Sequence, residues 1–471
     1  RTFSTSGTNW VRISGTVSST PGVKFVISSD SATTSTTPVK VDGLWFTSEA
    51  TGTLSGNSTV TAATDGLDNA VNNVDRTHFY SANGRYLFFT TNSAVTPDDT
   101  NNGPDSYRKD LSTGAVVRVT TDSVGTQYAT SGQVMQATSS SADGNVVAFQ
   151  TTATTGAPLA YRHLFIKNIS TGTVTRVSNG TSSTAPDAAS WTPMISPDGT
   201  KVAFDSVATN LVTGDTNANQ DVFVYTIAGG TTTRVSTVNS TNAQATGGGS
   251  YLPQWVDNNT VAFASAATNL VSGDTNGVYD VFTKNLSTGA TTRVSVSSAG
   301  AQANGTGVRA FNVSRDGSTI VFDTDATSLD GAPTTAGTRQ LYARDLSGNT
   351  TRRFTNTASS FDLLSPTFNS SGALNSDGSV FLAVTTASLD PADTNANYDV
   401  YAFDIASGSS RLISTTATGS VVAADASGAV FGPDDEYVTF GSNGSMVSGA
   451  TSTLFRKYLS SGVTPTSFSR L

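Results

Sequence analysis

Four short stretches of this 471-residue chain place acids and amides at alternate positions. They are Asp99-Thr-Asn101-Asn-Gly-Pro-Asp105, Asp215-Thr-Asn217-Ala-Asn219-Gln-Asp221, Asp274-Thr-Asn276-Gly-Val-Tyr-Asp280 and Asp393-Thr-Asn395-Ala-Asn397-Tyr-Asp399. The shared pattern is Asp-x-Asn-x-x-x-Asp. Oxygens at the first, third, fifth and seventh positions of a short loop can converge on one point. Ca²⁺ takes about six to eight oxygen ligands at roughly 2.3–2.6 Å and tolerates irregular loops. Where Gly103 and Val278 hold the fifth position, a backbone carbonyl can serve. Ca²⁺ is therefore the expected cofactor of the four loops. The same residues have a second use, because Asp and Asn side chains bond their own backbone in Asx turns. No loop carries the bidentate Glu that completes an EF-hand. Two carboxylates per loop would give a modest affinity. The spacing fits both uses.

Acid–base chemistry has few other carriers. The chain holds only two His and no Cys. Thiolate metal sites, disulfides and a Cys nucleophile are excluded. His163 follows Tyr161 and Arg162, and the three together can serve proton abstraction, which makes them the candidate catalytic residues. Their plain alternative is the exposed start of a strand. His78 falls within a strand and reads as a polar core group. No Gly-x-Ser-x-Gly elbow stands before a helix, so a serine peptidase is not expected. Lys and Arg number 26 against 35 Asp and Glu, a net charge of −9. That balance excludes nucleic acid as a partner, since phosphate contacts need clustered cations. No apolar run reaches the roughly 20 residues of a transmembrane helix.

The elements that must hold these residues are strands. Ser and Thr make up close to a third of the chain, and Thr alternates with Val, Ile, Phe and Tyr, as in Thr231-Thr-Thr-Arg-Val-Ser236. That is strand composition with a wet outer face. No stretch shows a helical period. A tight turn recurs at Ser81-Ala-Asn-Gly84, Ser141-Ala-Asp-Gly144, Ser196-Pro-Asp-Gly199, Val256-Asp-Asn-Asn259, Ser314-Arg-Asp-Gly317, Asn375-Ser-Asp-Gly378 and Gly432-Pro-Asp-Asp435. Successive turns lie 55 to 61 residues apart. A strand follows each, with Phe89, Phe149, Phe204, Phe263, Phe322 and Phe440 near its end and Val384 in the sixth copy. A third strand begins at Asp221-Val-Phe and its equivalents. A fourth carries Arg118, Arg176, Arg234 or Arg293, an arginine expected to pair with a neighbouring carboxylate or to cover apolar surface. Four strands repeated seven times at this period predict an all-β fold, a seven-bladed β-propeller of four-stranded antiparallel blades.

The run Ala208-Thr-Asn-Leu-Val-Thr-Gly-Asp-Thr-Asn217, with its twin Ala267-Thr-Asn-Leu-Val-Ser-Gly-Asp-Thr-Asn276 and the following Asp-Val-Phe, resembles the TolB-like, WD-related propeller repeats of exported bacterial proteins. The resemblance spans residues 75–471 and implies fold more than function. Ahead of it, Val11–Val17, Val39–Phe46 and Leu54–Asp65 resemble a small bacterial Ig-like β-sandwich. The expected divisions are an extension over 1–9, an Ig-like domain over 10–66, a linker over 67–74 and the propeller over 75–471. Each blade has its own four strands, the last ending at Ser467-Phe-Ser, so the ring is expected to close by packing alone. The long loops and the crossings between blades are expected on one face and the tight turns on the other. The resemblance implies an exported binding or surface-assembly protein, with a protein or polysaccharide partner in a secreted, periplasmic or cell-surface setting. The alternative is a glycan-active enzyme, a lyase or hydrolase, at the propeller mouth around His163, similar to some propeller-shaped polysaccharide lyases.

Overall fold

The computed structural model describes residues 59–61, 74–101, 103–128, 135–152, 161–181, 184–331, 338–355, 372–416, 419–444, 446 and 453–459. These residues hold 27 strands and no α-helix. They belong to one compact unit, Gly56–Ser469. The expected Ig-like domain lies outside the described residues except for β1, Thr59–Thr61.

The blades follow in chain order. The first is β2 (Val74–Tyr80), β3 (Tyr86–Thr91), β4 (Asp105–Asp110) and β5 (Val116–Arg118). The second is β6 (Met135–Ser140), β7 (Val146–Thr151), β8 (His163–Asn168) and β9 (Val174–Arg176). The third is β10 (Ser190–Ile195), β11 (Lys201–Ser206), β12 (Asp221–Thr226) and β13 (Thr231–Arg234). The fourth is β14 (Ser250–Trp255), β15 (Thr260–Ser265), β16 (Asp280–Asn285) and β17 (Thr291–Arg293). The fifth is β18 (Phe311–Val313), β19 (Thr319–Thr324), β20 (Gln340–Asp345) and β21 (Thr350–Arg353). The sixth shows β22 (Val380–Thr385), β23 (Asp399–Asp404) and β24 (Ser410–Leu412) among the described residues. The seventh is built on β25 (Ala426–Phe431), β26 (Tyr437–Ser442) and β27 (Thr453–Tyr458). The seven-bladed, all-β expectation holds.

Six of the seven tight turns hold a left-handed residue, and glycine adopts that conformation without the Cβ clash. Gly317 shows the demand most sharply, with φ 72° and space such that a Cβ would meet Val256 O at 2.0 Å. In each four-stranded blade the second of the consecutive strands is central, with strands on both edges and other blades on both faces. β11 and β15 therefore bury every residue after their first. Phe204 pairs across the sheet with Phe223 and stacks on it at 5.7 Å, as Phe263 does on Phe282 at 6.0 Å. Facing blades then interlock, as where Val222 and Val224 of the third meet Trp255 and Phe263 of the fourth. In the sixth blade the residue opposite Tyr401 is Ala383. Register therefore corrects the expected position from Val384 to Ala383.

Innermost strands expose backbone groups, which cannot stay unpaired when buried. Side chains of the preceding blade meet them. Gln254 donates to Phe311 O at 2.8 Å and accepts from Val313 N at 3.0 Å, and Ser139 accepts from Ile195 N at 2.9 Å.

The expected ring closure is corrected. The ring does not close by packing alone. β1 pairs antiparallel with β27, Thr59 opposite Lys457 and Thr61 opposite Phe455, in a sheet ordered β1-β27-β26-β25. An N-terminal strand fills the fourth position of the last blade. The pairing gives the outer edge of β27 a ladder and ties the two ends of the ring together. The strand expected at Ser467-Phe-Ser lies outside the described residues.

The crossings do more than the sequence foretold. They leave the fourth strand on the long-loop side but fold into small hairpins, with bridges such as Thr121 to Gln127 and Thr237 to Gln244. Their tips reach the outer edge of the next blade. Ser123 Oγ accepts from Val174 N at 3.0 Å, and Asn239 Oδ1 from Thr291 N at 3.0 Å. They cover an exposed strand edge as well as frame a face.

Candidate functional site

The last Asp of each Asp-x-Asn-x-x-x-Asp loop is the first residue of a third strand: Asp105 in β4, Asp221 in β12, Asp280 in β16 and Asp399 in β23. The middle Asn makes an Asx turn in all four. Its Oδ1 accepts the N–H two residues on, from Asn101 to Gly103 (2.8 Å), Asn217 to Asn219 (3.0 Å), Asn276 to Val278 (3.3 Å) and Asn395 to Asn397 (2.6 Å). Its Nδ2 donates to Oδ2 of the last Asp at 3.2, 3.4, 3.0 and 3.5 Å respectively. The turn thereby presents the first and last carboxylates to each other.

What stands between those carboxylates differs among blades. In the third, Arg234 NH1 lies 3.3 Å from Asp215 Oδ1 and 3.4 Å from Asp221 Oδ2. In the fourth, Arg293 NH1 lies 3.2 Å from Asp274 Oδ1 and 3.7 Å from Asp280 Oδ2. In the first, Arg118 NH1 lies 3.7 Å from Asp99 Oδ1 and 3.9 Å from Asp105 Oδ2. These are the recurring arginines of the fourth strand, paired with carboxylates, one of the two uses the sequence left open. Sequence reasoning missed their partner on the crossing hairpin. Gln127, Gln244 and Gln302 each donate Nε2 to Oδ1 of the first Asp, at 2.9, 2.8 and 3.1 Å. The signal was present, a Gln recurring 28 or 29 residues after that Asp.

The sixth blade has neither group. The residue opposite Tyr401, where the arginine stands in the other three, is Leu412. The hairpin position of the glutamine is Val421, bridged to Thr415. Asp393 Oδ2 accepts from Tyr401 OH at 2.6 Å, and Asp399 Oδ1 from Ser414 Oγ at 2.5 Å. Asp393 Oδ1 is buried without a hydrogen-bond partner. Burial, with Asp393 beside it, pushes the Asp399 carboxyl up to about 6. Burial likewise raises Asp215, Asp221, Asp274 and Asp280, and brings Asp105 to about 6. Among the described residues no three His, Asp or Glu side chains gather as a ligand set.

The candidate catalytic trio is not brought together on one surface. His163 opens β8, in the position that Asp105 and Asp221 hold in their blades, and is 4% exposed. Its Nδ1 is buried without a hydrogen-bond partner, and burial beside Arg176 lowers its pKa to about 4. Tyr161 is 44% exposed. Arg162 is half-buried and close enough to Asp205 to interact with it.

A second polar group, not foreseen, lies on the long-loop side nearer the axis. Asp205 accepts from Thr192 Oγ1 and Gln220 Nε2, and burial raises its pKa to about 6. Asp323 accepts from the backbone N–H of Arg309 at 2.8 Å and pairs with Arg339. Tyr251 meets Tyr279 edge-on at 4.8 Å. The opposite side is drawn together by its turns. Asn83 N donates to Ala142 O at 3.0 Å, Asp316 N to Ser376 O at 3.1 Å and Ser376 N to Asp435 Oδ2 at 2.9 Å. Arg315 of the fifth blade reaches Pro433 O of the seventh at 2.7 Å.

No family model and no curated relative matches the chain. Solved structures do. An oligogalacturonate lyase from Vibrio parahaemolyticus is 14% identical, with a TM-score of 0.50 over 85% of this chain and 97% of that one. TolB from Acinetobacter baumannii is 13% identical, with a TM-score of 0.38 over 65% of this chain and 58% of its own. At such identities the likeness is one of fold alone. No helix among the described residues is long and apolar enough to cross a membrane.

Proposed function

We propose that the chain is an exported bacterial binding or surface-assembly protein that engages a protein or polysaccharide with its long-loop face. The observation that carries this is the difference between the two faces. On one, turns bond to turns around the ring. On the other, half-buried Arg162, Tyr251, Tyr279 and Arg339 and the exposed Arg309 surround fixed carboxylates. Tyr and Arg supply much of the energy of recognition surfaces, because each presents a broad apolar body with a polar end. Rigid strands position them, as binding sites require. The absence of Cys and the Thr-, Ser- and Asn-rich composition fit an exported setting.

The test is binding to immobilised acidic and neutral polysaccharides and to purified envelope proteins. Tyr251→Ala with Arg309→Ala should weaken any binding at least tenfold, and Arg315→Ala on the turn face should leave it unchanged. The reverse pattern would contradict the proposal. New reducing or unsaturated ends on a polysaccharide, abolished by His163→Gln, would establish the glycan-active enzyme instead.

A further inference from the structure

We propose that the loop of the sixth blade is a cation site, taking Ca²⁺ between Asp393 and Asp399, while the matching loops of the first, third and fourth blades carry their own cation as an arginine. The proposal does not depend on what the long-loop face binds.

The four loops share one backbone design, so they can be compared atom by atom. In three of them Oδ1 of the first Asp and Oδ2 of the last face the same guanidinium nitrogen, at 3.2–3.9 Å. Oδ1 also receives the glutamine of the crossing hairpin. In the sixth blade the Asx turn and the serine beneath the last Asp are retained. Both positive or donating partners are gone, replaced by Leu412 and Val421. Asp393 is 3% exposed and Asp399 fully buried, and Asp393 Oδ1 is left without a partner. A buried carboxylate oxygen without a donor is costly, and two facing each other are more so.

The positive groups of that region are held elsewhere. Arg411 stands opposite Ala402, one position from the loop-facing place, and successive strand residues point to opposite faces. Lys457 Nζ donates to Thr415 Oγ1 at 2.9 Å and Thr416 O at 2.8 Å. Asp425 accepts from Tyr398 N at 3.0 Å and does not join the pair as a third ligand. The loop reaches solvent at Thr394, Ala396 and Tyr398, so an ion has access and can keep waters in its shell.

The chemistry selects the ion. All offered donors are oxygens, which excludes the softer metals. The protein supplies two carboxylates in an irregular loop, and Ca²⁺ accepts irregular oxygen shells completed by water better than Mg²⁺ does. Two carboxylates set a dissociation constant on the order of 10⁻⁴ to 10⁻³ M, as in extracellular modules. Another way to relieve the pair is a proton shared between the carboxyls, and the experiment separates the two.

Thermal unfolding of the full chain is followed in chelator, in 10 mM CaCl₂ and in 10 mM MgCl₂. Calcium should raise the midpoint by about 2–5 °C, reversed by chelator, with a smaller rise in magnesium. Asp215→Ala with Asp274→Ala should keep the calcium response. Leu412→Arg with Val421→Gln rebuilds the third-blade arrangement and should lose it. Calorimetric titration of the wild type should count one site. A wild type indifferent to calcium overturns the proposal in favour of a shared proton. So does a count of none or of four sites, or an Asp393→Asn variant that responds as the wild type does.

Discussion

The third blade and the sixth build the same loop and finish it differently. In the third, the last strand supplies Arg234 and the crossing hairpin supplies Gln244, so one stretch of chain makes both the acid pair and its neutralising partners. In the sixth, the acid pair remains and both partners are aliphatic. The seventh blade shows the same dependence in its backbone, since its outermost strand comes from Thr59–Thr61. The middle of the ring is self-sufficient. The seventh blade is completed from outside its own repeat, and the sixth leaves its acid pair without those partners. A repeat thus keeps its strand geometry while single substitutions decide whether its loop is closed internally or left to take a partner.

The largest effect is expected when the third blade is given the sixth blade's residue. Arg234→Leu leaves Asp215 and Asp221, 3% and 1% exposed, without their cation. Removing one partner of a buried pair costs about 3–5 kcal/mol. Urea unfolding should show a loss of that size in chelator and a smaller loss in calcium. Equal losses in both would mean that the two arrangements are not interchangeable.

The backbone dependence is tested by removing residues 1–61. The edge of β27 from Phe455 to Lys457 then has no ladder. With a net value near 1 kcal/mol per hydrogen bond, the expected loss is about 2–3 kcal/mol. Truncation without effect on the urea midpoint would deny β1 a role in closure.

The tyrosine hydroxyls give a finer contrast. Tyr107 and Tyr401 each donate to the first Asp of their loop, and the third and fourth blades have Phe223 and Phe282 instead. In the first blade Gln127 and Arg118 remain when the hydroxyl goes. In the sixth nothing comparable does. In chelator Tyr401→Phe should cost about 1.5–3 kcal/mol, the range for bonds to charged groups, and Tyr107→Phe measurably less.

A contrast in pH dependence concerns His163. Its folded pKa near 4 lies below the ordinary value of about 6.5. The neutral ring is favoured in the folded state, so its contribution is present above about pH 6.5 and is lost as pH falls toward 4. His163→Gln should remove that part of the dependence. Asp105, Asp205 and Asp399, raised to about 6, act in the opposite direction but are common to both proteins. The wild type should therefore lose more stability than the variant between pH 7 and pH 5. Parallel pH profiles would contradict a buried neutral His163.

Much of this was legible in the sequence. The Asp-Gly turns fixed the blade period, and the last Asp of each loop marked the first residue of a strand. Arg234 and Arg293 were expected to pair with a carboxylate or to cover apolar surface, and they pair. That the carboxylates were those of the loops themselves was not legible, because linear spacing does not say that Asp215 and Arg234 share a rim. The glutamines went unread because their recurrence, 28 or 29 residues after the first Asp, lies far outside the loop motif. Within Leu54–Asp65, a stretch expected in the Ig-like domain, Thr59–Thr61 form a strand paired with β27; the sequence did not announce that partner, because period two encodes a face and not a neighbour. The sixth-blade loop looked like its sisters because the residues that set it apart, Leu412 and Val421, lie outside the motif.

The most direct measurement is a crystal structure grown in CaCl₂ with anomalous scattering recorded. One ion is expected, between Asp393 Oδ1 and Asp399 Oδ2, with Arg118, Arg234 and Arg293 still seated between their carboxylates. An ion displacing those arginines, or none at the sixth blade while its carboxylates share a proton, would contradict the account.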